Sequence, residues 1–251
     1  MMRWLLAGIL AVAAPVAARA ETIILSLSSH QVRITQTYGG TDLVVFGAIL
    51  RDRASVARQG PLDIVITARG PAGVFSVRRK VQVGPVWVNL EQRKFGALPA
   101  TIAVLASRPL DEIAPADLRE RYRIGIEALV PRPGFGTSDD VQFRAALLRL
   151  RQENGLYAEE DRGVTFIAPD VFRASIPVPA TAPVGNYEVT AALLADGVQL
   201  AQETTSFEVR KTGFESFVSQ SSRDWPWLYG LVTSAIAVAM GLLASVVFRR
   251  D

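Results

Sequence analysis

The chain has 251 residues, enough for one large domain or two small ones, with 49% hydrophobic and 20% charged residues. Its formal charge of +3 sits at the two ends: without Arg3, Arg19, Arg249, Arg250 and Asp251, 23 basic and 23 acidic residues remain of the 27 and 24 present. The middle is therefore neutral, and the basic pI argues for no nucleic-acid partner. The absence of cysteine excludes thiol catalysis, thiolate metal sites, lipobox acylation and disulfides, and leaves the fold to its own apolar core.

At the N-terminus Arg3 precedes the apolar run 4–18, and Ala18-Arg19-Ala20 follows. A positive residue, a core of about 15 apolar residues and a small-x-small site read as a cleaved signal peptide over 1–20. A retained first transmembrane helix is the alternative, although the run is short of the roughly 20 residues that a span needs.

Strands are expected over the first β-sandwich module, 21–110. Ile23, Leu25 and Leu27 alternate with Thr22, Ile24 and Ser26, and Val32 and Ile34 follow. The Tyr38-Gly39-Gly40-Thr41-Asp42 stretch is turn chemistry. The run 43–50 reads as a strand buried on both faces. Gly60-Pro61 turns into alternating Leu62, Ile64 and Ile66. After Arg69-Gly70-Pro71, the segment 74–83 alternates with Arg78, Arg79 and Lys80, a basic run read as a solvated edge rather than an anion site. Val86-Trp87-Val88 and 101–105 are further strands, with Trp87 expected in the core.

A helical insert is expected over 111–160. Pro115 would open one helix with Leu118, Tyr122 and Ile126 on its apolar face. After the Pro131-Arg132-Pro133 break, a second helix starts near Thr137. Asp139 and Asp140 lie in its first turn, Phe143, Leu147 and Leu150 on its face, and Asn154-Gly155 at its end. Strands resume in a second β-rich module, 161–212, at 164–167 and 172–178. There Pro183-Val184-Gly185-Asn186-Tyr187 resembles the opening of a late strand in an immunoglobulin-like sandwich, and Asp196-Gly197 marks a hairpin. The fold class is mainly β: two immunoglobulin-like antiparallel sandwich modules around a helical insert.

A juxtamembrane linker, 213–227, leads to an uncharged apolar run, 228–248, of about the length that crosses a hydrocarbon core as a helix. Trp225, Trp227 and Tyr229 suit the headgroup level at its start, and Arg249 and Arg250 anchor its end. By the positive-inside bias the tail 249–251 is cytoplasmic, and the bulk is expected in the periplasm of a Gram-negative inner membrane. Ala237, Gly241 and Ser245 form a small-xxx-small face suited to close approach of another helix.

Several stretches together resemble a known family. They are Thr41-Asp42-Leu43-Val44-Val45-Phe46-Gly47-Ala48-Ile49, Arg69-Gly70-Pro71, Val77-Arg78-Arg79-Lys80 and Val86-Trp87-Val88-Asn89. Ala106-Ser107-Arg108-Pro109-Leu110, the segment 183–189 and Gly213-Phe214-Glu215 complete the series. In this order they resemble the alphaproteobacterial transmembrane protein family Alph_Pro_TM. The resemblance implies one membrane-anchored architecture and carries no catalytic residue.

Catalytic constellations are not evident in the sequence. The single histidine, His30, lies between two expected strands with no Gly-x-Ser-x-Gly partner, and reads as a turn residue. Glu159-Glu160-Asp161 and Asp139-Asp140 lack calcium-loop spacing and read as a solvated loop and a helix start. Gly134-Phe135-Gly136-Thr137 lacks the Lys-Ser/Thr of a phosphate loop. The expectation is a non-enzymatic protein without cofactor, an interaction or accessory subunit of a membrane transporter or envelope complex. Its partners would be the lipid bilayer and a membrane protein. A periplasmic small-solute or anion-binding module is the first alternative and an enzyme the second; a pocket where carboxylates converge with Arg or Tyr would favour the enzyme.

Overall fold

In β4 (Asp63–Arg69) consecutive residues face opposite ways, yet every residue from Asp63 to Ala68 is buried. A strand covered on both faces can be apolar throughout, and β4 lies at the centre of a three-layer arrangement. The computed structural model describes residues 21–35, 38–51, 60–132, 138–212 and 222–247.

The outer layer is a four-stranded sheet, in the order β1 (Glu21–Leu27), β3 (Thr41–Arg51), β10 (Val171–Val178), β9 (Val164–Ala168). The central layer has six strands, in the order β2 (Gln31–Ile34), β12 (Val198–Lys211), β11 (Gly185–Ala195), β4, β7 (Ile102–Ala106), β8 (Tyr157–Glu160). Between these sheets lies one apolar core containing Ile23, Val45, Ile49, Phe172 and Ile176 from the first sheet and Ile64, Ile66, Leu105, Val189 and Leu193 from the second.

The opposite face of the central sheet contributes Val65, Ile102, Val104 and Leu194 to a second core. Helices cover it: α1 (Leu110–Ile113), α2 (Ala116–Tyr122), α3 (Ile126–Leu129) and α4 (Ser138–Glu153). The single expected helix over Leu118, Tyr122 and Ile126 is divided, because Arg123 is left-handed at the end of α2 and Gly125 has φ +91°. Phe143 and Leu147 of α4 are buried, but Leu150 is exposed. The stripe continues at Arg151, whose guanidinium lies 3.8 Å from the centre of the Phe75 ring.

A mainly β fold with a helical insert and a C-terminal apolar helix is as expected; the distribution of strands is not. The two stretches expected as separate modules share both sheets, since β3 pairs with β10 and β4 with β11. The insert itself ends in β8, which pairs parallel to β7, so Glu159 and Glu160 lie on a strand rather than in a loop. Pairing of this kind covers strand edges that separate modules would leave open. Burial in β3 alternates, leaving Phe46 and Leu50 exposed, because only one face of the outer sheet is covered.

β5 (Ala72–Val83) and β6 (Val86–Pro99) prolong the β4–β7 ladder beyond the central sheet. Arg69 pairs with Ile102, the Gly70 N–H donates to Thr101 O, the Ala100 N–H to Pro71 O, and Ala72 pairs with Pro99. The Gly84-Pro85 tip has φ +60° at Gly84, as a two-residue turn with glycine in the first central position requires.

Candidate functional site

Pro226 starts α5 (Pro226–Val247), a place where its missing N–H costs no helical hydrogen bond. The helix carries no charged residue, and all its residues from 226 to 245 are exposed. The Thr233 hydroxyl donates to Tyr229 O at 2.9 Å, so this polar group is satisfied within the helix, as lipid requires. Trp225, Trp227 and Tyr229 stand exposed at its start. Ala237, Gly241 and Ser245 lie on its uncovered surface, and nothing lies within 4 Å of where a Gly241 Cβ would be. Arg249 and Arg250 lie outside the described residues, as do the expected signal peptide and Gly134-Phe135-Gly136-Thr137.

The β5–β6 hairpin has two chemically different faces. On one, Arg79 contacts Glu91 at 3.0 Å and Asp139 at 3.6 Å, and Arg93 contacts Asp140 at 2.7 Å. Both guanidinium groups also lie over the Phe143 ring of α4. The hydrogen bond to Asp140, followed by its charge, raises the pKa of Arg93. The aspartates expected in a helix first turn therefore also hold the hairpin. On the other face, paired positions put Trp87 beside Gln82, Lys80 beside Asn89, and Arg78 beside Gln92. Trp87 is 65% exposed, not in the core, because the hairpin has left the sheet whose core it was expected to join. A sequence signal was present: apolar and basic residues alternate up to a Gly-Pro tip, which separates two faces rather than marking one edge.

Two concavities border the helical layer. One is lined by Arg93, Lys94, Phe95, Pro131, Arg132 and Asp140. The other brings Arg119 and Arg132 together with Glu120, Glu127 and Glu159. In the second, Glu159 accepts from the Ile126 N–H at 2.9 Å and so caps α3, while Arg132 lies 3.6 Å from Glu120. Arg144 donates to the carbonyls of Glu127 and Val130 at the far end of α3; burial lowers its pKa. These interactions position helices. Among the described residues no cluster of three or more acidic or histidine side chains could hold a metal ion. His30 is exposed between β1 and β2, as expected of a turn residue.

Sequence reasoning did not find the buried Asp63 of β4. Arg108 Nε meets its Oδ1 at 2.8 Å and Nη2 its Oδ2 at 2.5 Å, and the Ser107 hydroxyl donates to Oδ1 at 3.0 Å. The apolar alternation of β4 hides this residue, whose partner is 45 positions away.

No curated protein matches the chain. The family described as "Putative transmembrane protein (Alph_Pro_TM)" matches residues 22–250, nearly its whole length. Its name implies an alphaproteobacterial origin, and its transmembrane character agrees with the exposed apolar α5. The chain belongs to the Alph_Pro_TM family of transmembrane proteins.

Proposed function

We propose that this is a single-pass inner-membrane protein whose β domain lies in the periplasm and whose C-terminus is cytoplasmic. It serves as a non-enzymatic interaction or accessory subunit of a membrane transporter or envelope complex. One observation carries the reading: α5 buries none of its apolar surface against the β domain and presents Ala237, Gly241 and Ser245 at a spacing that admits a neighbouring helix closely. The N-terminal signal-like segment and the Arg249-Arg250 tail support the orientation.

Two measurements test it. In spheroplasts, added protease should digest the β domain, and a reporter fused after Asp251 should be active only in the cytosol. Crosslinking from the exported side, followed by purification in mild detergent, should recover a membrane protein with the chain. Recovery of the chain alone and monomeric would refute the accessory role.

A second reading is an anion-binding module, and the basic lining of the Arg93, Lys94 and Arg132 concavity supports it. The site lies between hairpin and helical insert, not between two β modules. Titration of the detergent-solubilised chain with inorganic phosphate and sulfate tests this reading. Saturable heat that Arg132→Gln abolishes would support it; no heat would exclude it for these anions.

A further inference from the structure

We propose that the tip of the β5–β6 hairpin is a second membrane contact, in which Val86, Trp87 and Leu90 enter the headgroup region of an anionic phospholipid bilayer and Arg78 and Lys80 meet its phosphates. The inference rests on the reading that α5 spans that bilayer.

Strand direction provides the first support. β12 and β4 are both antiparallel to β11, so they run the same way. The ladder that continues β4 into the hairpin therefore leaves the central sheet at the end where β12 finishes and the chain runs on to α5. From β12 to the helical turn 222–224 ahead of α5 there are residues 212–221, and a chain of this length reaches at most about 35 Å. The 12 residues of β5 extend over a comparable ~40 Å. The anchor and the tip can thus meet one surface.

Chemistry provides the second support. Val86 pairs with Val83 at the turn, and both are exposed. Trp87 is exposed beside them, and Leu90 is exposed where the ladder slips between Arg79 and Lys80. Exposed aliphatic side chains around a tryptophan suit the boundary between headgroups and acyl chains. Along the same face as Trp87 come Lys80 and Arg78, interleaved with Gln82, Asn89 and Gln92 and with no carboxylate. Both cations are exposed, and neither forms an ion pair among the described residues, where the hairpin's salt bridges are made by Arg79 and Arg93. A tryptophan-bearing tip below uncompensated cations matches an anionic lipid surface, which offers apolar depth and phosphate together. The depth is limited, because a two-stranded ribbon has open edges whose N–H and C=O groups lipid cannot satisfy. The tip therefore rests at headgroup level and does not span.

The absence of cysteine makes the test direct. Full-length chain with Val86→Cys, or in a second preparation Leu90→Cys, is labelled with an environment-sensitive fluorophore. It is reconstituted into phosphatidylcholine vesicles with and without phosphatidylglycerol, carrying a nitroxide near the headgroup. Val198→Cys, at the β11–β12 turn on the opposite end of the central sheet, is the reference. Only chain that floats with vesicles is read, so failure of the α5 anchor shows as loss of flotation and is distinct from failure of the tip. The expected result is a blue shift and loss of emission at 86 and 90 but not at 198. The loss should be greater with phosphatidylglycerol and diminished by the combined Arg78→Gln and Lys80→Gln changes. Emission at 86 and 90 as bright as at 198 in floating vesicles overturns the proposal. A blue shift without nitroxide quenching also overturns it, since protein rather than lipid then covers the tip. Quenching indifferent to both phosphatidylglycerol and the two glutamines overturns the role of the cations.

Discussion

The ring of Phe172 occupies the space over Gly47, its cross-strand partner in the outer sheet: a Cβ placed on Gly47 would lie 2.1 Å from Phe172 Cζ. Only a glycine lets this aromatic ring lie flat against the neighbouring strand, which explains a glycine within an otherwise apolar strand. Gly47→Ala should destabilise the β domain by about 1–3 kcal/mol, the usual cost of overpacking. Thermal unfolding of the detergent-solubilised chain, followed by near-ultraviolet circular dichroism, measures it. Adding Phe172→Leu should cost less in the Gly47→Ala background than in wild type, because the two positions are coupled.

The Asp63–Arg108 pair ties β4 to the segment entering the helical layer. Asp63 is 4% exposed, and the hydrogen bond it accepts, ahead of its charge, raises the pKa of Arg108. Removing the cation strands a buried carboxylate, so Arg108→Ala should cost about 2–3 kcal/mol. Replacing both residues, with Asp63→Leu added, should cost less than Arg108→Ala alone. Denaturation midpoints of the two variants decide the matter; equal losses would show that the carboxylate is not stranded.

Alkaline pH should unfold the domain through its buried tyrosines. The Tyr157 hydroxyl donates to Pro99 O at 2.8 Å and that of Tyr187 to Pro183 O at 2.9 Å. Burial raises both pKa values. The folded state thus favours the protonated phenol, so this stabilisation is complete below the ordinary tyrosine value near 10 and is lost as pH rises through the folded values. Melting temperature should fall above about pH 10 as phenolate absorbance at these sites appears. The Tyr157→Phe, Tyr187→Phe chain should show a shallower fall and start about 1 kcal/mol per lost hydrogen bond lower.

The small-residue face of α5 should be sensitive to bulk in a way the β domain is not. Gly241 has open space around it, so Gly241→Leu should leave the melting of the β domain unchanged while reducing recovery of the crosslinked membrane partner. Leu242→Ala, on an adjacent face, should retain the partner. Equal recovery with Gly241→Leu would remove this face from the interface.

Local chemistry made much of the fold legible. The Asp196-Gly197 turn was readable because both residues must take positive φ, as they do at 52° and 75°. α4 was readable from its acidic start and its Asn154-Gly155 end, where the Asn154 amide donates to Leu150 O. The immunoglobulin-like segment proved to be a tyrosine corner, with Tyr187 reaching back to Pro183. Each depends on residues close together in the chain.

Burial does not. The apolar run around Phe46 and the Trp87 strand looked like core, and both carry exposed side chains; β8 looked like loop, and it forms the edge strand of the central sheet. The amino-acid order alone determined where strands turn, where helices start and stop, and that α5 is apolar on every side. Which strands share a sheet, which apolar faces are covered and which cations stand unpaired on the hairpin were decided only by the tertiary structure. Those properties belong to whatever distant segment comes to lie against a face, and no local periodicity records its arrival.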